Sequence, residues 1–151
     1  MNDHSIQIRD VDFNNEVELH ELAYLYAAVP LDWDASYAVQ REAEINFSWL
    51  LEKRDTLKCL LATLGSKIVG IHVLQTQSQR PHTCFIKTLW VSPDFRGEGI
   101  GSRLKAAGEQ WVRETGSKAM VTHVMVKNSK MLEINRSKGF VPTKVEMEKK
   151  L

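Results

Sequence analysis

Leu89-Trp-Val-Ser-Pro-Asp-Phe-Arg96-Gly-Glu-Gly99-Ile-Gly101-Ser-Arg-Leu104 is the stretch on which the reading of this chain turns. An apolar run ends at Val91, and Ser92-Pro93-Asp94 turns the chain. Three glycines follow at alternate positions, and a helical pattern opens at once with Ile100 and Leu104. The stretch therefore reads as strand, glycine-rich loop and helix. Such a loop lets backbone N–H groups approach an anion with no Cβ in the way. The helix start behind it adds unpaired donors and the positive end of the macrodipole. Arg96 contributes a fixed charge and a fork of donors matched to phosphate oxygens.

Several phosphate-binding patterns compete for this loop. A P-loop needs a Gly-Lys pair, and none occurs anywhere in the chain. A dinucleotide fingerprint needs a third glycine where Ser102 stands, at the opening of a first βαβ unit. A plain glycine-rich turn that packs a helix on a strand is the remaining alternative.

The bulk properties bound the answer. A chain of 151 residues fits one domain, 1–151, with a sizeable core. Its 43% hydrophobic and 26% charged residues are those of an ordinary globular protein. Twenty basic against 19 acidic residues leave a net charge of +1, so neither nucleic acid nor an anionic membrane is an expected partner. The first dozen residues hold Asp3, Asp10 and Asp12 and no apolar run, so no signal peptide is expected. No later run approaches membrane-spanning length. Cys59 and Cys84 lie inside apolar runs and read as buried thiols, with no metal site. A cytoplasmic location is expected.

The rest of the chain supplies the context. Ile6–Arg9 alternates as a first strand, and Asp12 or Asn14 offers a cap to a helix carrying Leu19, Leu22, Tyr26 and Val29. Pro30 forbids its continuation. A second helix carries Val39, Ala43, Phe47 and Leu50. Strands are expected over 56–64 and 67–75, joined at Gly65-Ser66 by a type II′ turn, and over 84–91 and 120–126. Asn128 or Ser129 caps a short helix that Gly139 closes, and 140–147 reads as a last strand. The order is β-α-α-β-β-β-α-β-α-β. It predicts an α/β fold (α+β in its pairing), with a mixed sheet and helices on both faces.

Loop and order together resemble the GNAT superfamily of N-acetyltransferases. The resemblance rests on Arg96, Gly99 and Gly101 as Arg-x-x-Gly-x-Gly, and on Leu89-x-Val91-x-Pro93 before it. Lys67-Ile-Val-Gly70, Asn128 and the Gly139-Phe140 pair extend it over nearly the whole chain. It implies acetyl transfer from acetyl-CoA, as co-substrate, to an amine acceptor. Residues Arg96, Gly97, Glu98, Gly99, Ile100, Gly101 and Ser102 would then hold the CoA pyrophosphate. Backbone groups of Leu89, Trp90 and Val91 would pair with the pantetheine arm, aided by Asn128. In this family that strand is bulged and splays from its neighbour, which opens a slot for the thioester.

Two departures from the family pattern concern protons. Many relatives carry a carboxylate near the positions of Lys87 and Thr88, and none stands between Cys84 and Val91. His123 is the candidate base, since imidazole is the side chain that ordinarily titrates nearest neutrality. His72, within a strand, reads as a structural histidine. A family tyrosine that protonates the leaving thiolate falls at Asn135, whose amide can donate a hydrogen bond but no proton. Trp33, Asp34, Tyr37 and His82, in the loops that shape the acceptor pocket of the family, are the candidate substrate residues. A catalytically silent acyl-CoA-binding module and a nucleotide-binding protein are the competing functions. A monomer or a homodimer is expected.

Overall fold

A computed structural model describes residues 5–32 and 34–151. Strand β1 (Ile6–Asp10) leads to helices α1 (Glu16–Ala28) and α2 (Val39–Lys53), separated by a 3-10 turn at Val29–Asp32. Three strands follow: β2 (Leu57–Leu64), β3 (Lys67–Thr76) and β4 (Thr83–Val91). The chain then forms α3 (Ile100–Glu114), β5 (Ala119–Thr122) and α4 (Ser129–Ser137). The sheet order is β1-β2-β3-β4-β5. The first four strands pair antiparallel, whereas β5 lies parallel to β4 after the α3 crossover.

The mixed sheet is covered on both faces. Leu19, Leu22 and Leu50 of α1 and α2 pack on Leu61, Ile71 and Val73. Ile100, Leu104 and Val112 of α3 pack on Leu60, Val69, Leu74 and Cys84. Neighbours in sequence such as Leu60 and Leu61 thus serve opposite layers. This explains why β2 and β3 read as nearly continuous apolar runs. Full burial of each such leucine contributes on the order of 1.5–3 kcal/mol. Both cysteines are buried and unpaired, and burial pushes the Cys59 thiol up to about 12 and that of Cys84 to about 11. No described helix is long and apolar enough to cross a membrane.

The structure corrects three local expectations. The side chain that caps α1 is Asn15, which accepts the Glu18 N–H; Asp12 instead accepts the Asn14 N–H one turn earlier. Strand β5 stops at Thr122, so His123 follows the strand and does not lie within it. The expected last strand over 140–147 does not form. Val141, Val145 and Met147 are 77%, 78% and 88% exposed and join no sheet. These residues have the alternation of an edge strand, but alternation stabilises a strand only where a partner offers its edge. The four-residue β5 offers little edge, and Pro142 removes one N–H from any ladder.

One contact between layers is unusually close. His72 on β3 is buried under α3, and a Cβ built on Gly108 would meet its Nε2 at 2.7 Å and Cδ2 at 2.8 Å. Alanine would gain ~1 kcal/mol of helix propensity there, against an overpacking cost of about 1–3 kcal/mol on a ring that cannot step aside. Gly108→Ala is therefore expected to lower stability by up to about 2 kcal/mol, read as a shift in the urea midpoint at unchanged slope.

Candidate acyl-transfer site

Strands β4 and β5 stay together for a short distance. Their register runs from Thr83↔Ala119 to Ile86↔Thr122. Beyond Ile86, β4 continues to Val91 against β3 alone, and its other edge has no strand partner among the described residues. The parting coincides with a bulge. Val73 pairs with Thr88 and Leu74 with Ile86, so Lys87 is an extra residue in β4. Bulges bend the strand that carries them, which directs β4 away from β5. His123 is the residue after Thr122, the last β5 residue paired with β4, and it is exposed.

The free stretch presents backbone and not side chains. Leu89 and Val91 pack toward α3, while Trp90 packs toward α1 and α2. What remains available is the edge of main-chain N–H and C=O groups, which need partners wherever water is excluded.

The glycine loop lies at the end of this edge. Gly97 and Gly99 adopt φ of +83° and +82°, a region that costs most residues about 1–2 kcal/mol. A Cβ at either position would meet nothing within 4 Å, so backbone conformation and not crowding requires glycine. Gly101 differs: it lies in the first turn of α3 without a positive φ. The amides of residues 97–102 donate to no acceptor among the described residues, and Arg103 N–H on the Gly99 carbonyl is the first helical bond. Six consecutive amides from Gly97 to Ser102 thus stand free beside the positive end of α3. Arg96 donates from Nε to the Val91 carbonyl at 2.8 Å and from Nη2 to Asp32 at 2.9 Å. That ion pair is exposed and contributes ~0–1 kcal/mol, little enough for a phosphate to draw the guanidinium away.

A cleft of about 340 Å³ opens on the other side of the bulge, between the end of α1, the start of α2 and β4. Tyr26, Pro30, Tyr37, Glu42 and Asn46 line it, with Lys87 and Thr88 as its floor. The Tyr26 hydroxyl donates to the Lys87 carbonyl at 3.4 Å, and the Lys87 ammonium lies 5.6 Å from the centre of the Trp49 ring. Burial pushes the Tyr26 phenol up to about 12. Glu42 brings a carboxylate to the wall where β4 itself has none.

The residues singled out in the sequence are thus distributed unevenly. Tyr37 lines the cleft. Asp34 is fully exposed and accepts both the Ser36 N–H and hydroxyl, which hold its carboxyl below the usual range. Asn128 caps α4 through Oδ1 on Met131 N–H at 3.2 Å, and its Nδ2 has no acceptor among the described residues. Asn135 sits half-buried on α4. His82 is set apart, immediately before β4 and five residues of ~3.3 Å each from the bulge. Its backbone has a positive φ, and its carbonyl anchors the entry to β5 by accepting the Lys118 and Ala119 N–H groups. Trp33 lies outside the described residues. Tyr26, Glu42 and Asn46 were not legible as site residues. Tyr26 has the helical spacing of a core residue, and one acid or amide on a polar helix face carries no signal of its own.

This fold is shared with known acetyltransferases. The model of the acetyltransferase (GNAT) family matches residues 18–140, and the chain belongs to that family. An uncharacterized N-acetyltransferase of Archaeoglobus fulgidus is 32% identical over 89 residues, covering 56% of this chain and 60% of that protein. The chain spans less than two thirds of the length of the relatives it matches by sequence. Two solved structures share the fold. One is an aminoglycoside acetyltransferase from an uncultured soil sample in complex with sisomicin, with a TM-score of 0.73, 20% identity and coverage of 97% and 96%. The other is the PaiA N-acetyltransferase of Thermoplasma acidophilum in complex with coenzyme A, with a TM-score of 0.74, 16% identity and coverage of 94% and 93%.

The elevated phenol offers a check on the cleft. Absorbance titration is expected to show a tyrosine that ionises only at about pH 12, and Tyr26→Phe is expected to remove that late phase alone.

Proposed function

We propose that this protein is an N-acetyltransferase that moves an acetyl group from acetyl-CoA to the primary amine of a small molecule or peptide, by direct attack in a ternary complex. The observation that carries the reading is the continuity of three features: free amides over 97–102, an unpaired β4 edge over 87–91, and a cleft beyond the bulge. A diphosphate needs donors and positive charge, a pantetheine arm needs a strand edge, and an acceptor needs room beside the thioester. The chain offers these in that order.

In this reading the loop amides and Arg96 hold the pyrophosphate, Leu89 to Val91 pair with the pantetheine amides, and Asn128 Nδ2 adds a donor. A main-chain N–H at the bulge faces the thioester oxygen as it gains charge, the role of an oxyanion hole. Glu42 and Tyr37 draw a cationic acceptor into the cleft. His123, at the parting of the strands, takes the proton of the attacking amine. Asn135 stabilises the sulfur by hydrogen bonding, which suffices because a thiol of ordinary pKa ~8.5 leaves readily as thiolate. Asp34 and His82 bear on the acceptor only through the loops they shape.

A catalytically silent acyl-CoA-binding module is the second reading, favoured by Lys87 where relatives carry a carboxylate and by Asn135. Release of CoA over a panel of amines separates the two: turnover on any amine supports the enzyme, and tight acetyl-CoA binding without turnover supports the silent module. Preference for ATP or NAD over acetyl-CoA in equilibrium titration would sink both.

Gly99→Val is expected to abolish acetyl-CoA binding by calorimetry, while strain at this exposed loop costs about 1–3 kcal/mol of stability. Unchanged affinity would contradict the loop's role. His123→Ala is expected to lower the rate on the order of 100-fold at neutral pH and much less at high pH, where the amine deprotonates unaided. An equal loss across pH would show that His123 is not the base.

A further inference from the structure

We propose that His72 is a positioning residue for acyl transfer: from the α3 face of the sheet, its Nδ1–H holds the Thr88 carbonyl and so fixes the bulge that parts β4 from β5. The proposal rests on the acetyl-CoA reading given above and assigns that site a residue buried behind it.

The geometry is specific. His72 is 1% exposed, and Nδ1 lies 3.0 Å from the Thr88 carbonyl oxygen. A carbonyl only accepts, so Nδ1 must carry the hydrogen and Nε2 must be the bare nitrogen. Nε2 is buried and has no partner among the described residues. It faces Gly108, where a Cβ would intrude on Nε2 at 2.7 Å and on Leu74 Cδ1 at 3.2 Å. An imidazolium would bury a second, unpartnered N–H and would be repelled by the Lys105 ammonium of α3, so the ring stays neutral. Burial accordingly pushes its pKa down to about 4.

Packing alone does not account for a histidine here. Val69 and Leu74 of the same strand fill the α3 face with no orphaned nitrogen. A leucine at 72 would avoid the penalty of stranding Nε2. What only the imidazole adds is a donor at Thr88. That residue belongs to the bulge, opposite Val73 and next to the extra Lys87. The Lys87 carbonyl in turn accepts the Tyr26 hydroxyl from the α1 face at 3.4 Å. Two successive carbonyls of the bulge are thus held from opposite faces of the sheet. Past Ile86 this segment has, among the described residues, a ladder on the β3 side alone, so these tethers replace the support that β5 has withdrawn.

Two experiments test the assignment. Long-range 15N–1H spectra of the unmodified protein at pH 7 are expected to show His72 protonated at Nδ1 and bare at Nε2. A proton on Nε2 would overturn the proposal, whether or not any variant folds. The second experiment compares acetyl-CoA with adenosine 3′,5′-bisphosphate, which has the nucleotide end of CoA without the pantetheine arm. His72→Leu is expected to weaken acetyl-CoA binding about tenfold, the worth of one hydrogen bond, with the bisphosphate affinity unchanged. His72→Asn, whose amide N–H can take the place of Nδ1–H, is expected to restore it. Unchanged acetyl-CoA affinity in folded His72→Leu, or equal loss for both probes, would refute the role. Failure of the unmodified protein to bind acetyl-CoA at all would instead remove the acetyltransferase reading itself, and this proposal with it.

Discussion

Backbone polar groups that leave a ladder must find other partners or water, and this constraint organises the molecule. Parallel pairing between β4 and β5 ends at Ile86 and Thr122, and from there to the glycine loop the edge of β4 has no strand partner among the described residues. A sheet that stayed paired to the end of β4 would leave no slot, whatever the loop sequence. A loop without left-handed glycines could not turn its amides outward at the end of that slot. The bulge at Lys87 joins the two conditions, because one inserted residue both bends the strand and marks where β5 departs.

The layers explain why such an opening is stable. The sheet is held by two separate clusters, one under α1 and α2 and one under α3. The free part of β4 still anchors side chains in both, Trp90 in the first and Leu89 and Val91 in the second. Hydrophobic burial thus fixes the segment from above and below while its edge stays uncommitted. Rigidity without edge pairing is what an extended ligand arm requires, since ordering the strand on binding would cost conformational entropy.

What could be read from the residues follows from how local each determinant is. The turn at Arg96 to Gly101 was legible because backbone conformation selects glycine directly, and φ at 97 and 99 bears this out. The β2–β3 hairpin was legible for the same reason, with Gly65 at +60° and Leu64 paired to Lys67. Residues 140–147 were misread because alternation states what a strand would bury, not whether an edge is there to receive it. The cleft was illegible because it is made by α1 meeting α2 over β4. Tyr26, Glu42 and Lys87 are far apart in sequence, and no spacing rule links them. His72 was recognised as structural, but its partner at Thr88 depends on the register of two strands and on a one-residue slip.

The contact between His72 and Gly108 also bears on how this chain can diverge. The two positions form an interlocked pair, so the order in which they mutate matters. A side chain acquired first on the helix has nowhere to go while the ring is in place. Loss of the ring first leaves a void that a later methyl can fill. Of the two orders, only the one from strand to helix avoids the clash, at the cost of the tether to Thr88, and homologues with a larger residue on the helix should already have given up the imidazole beneath it.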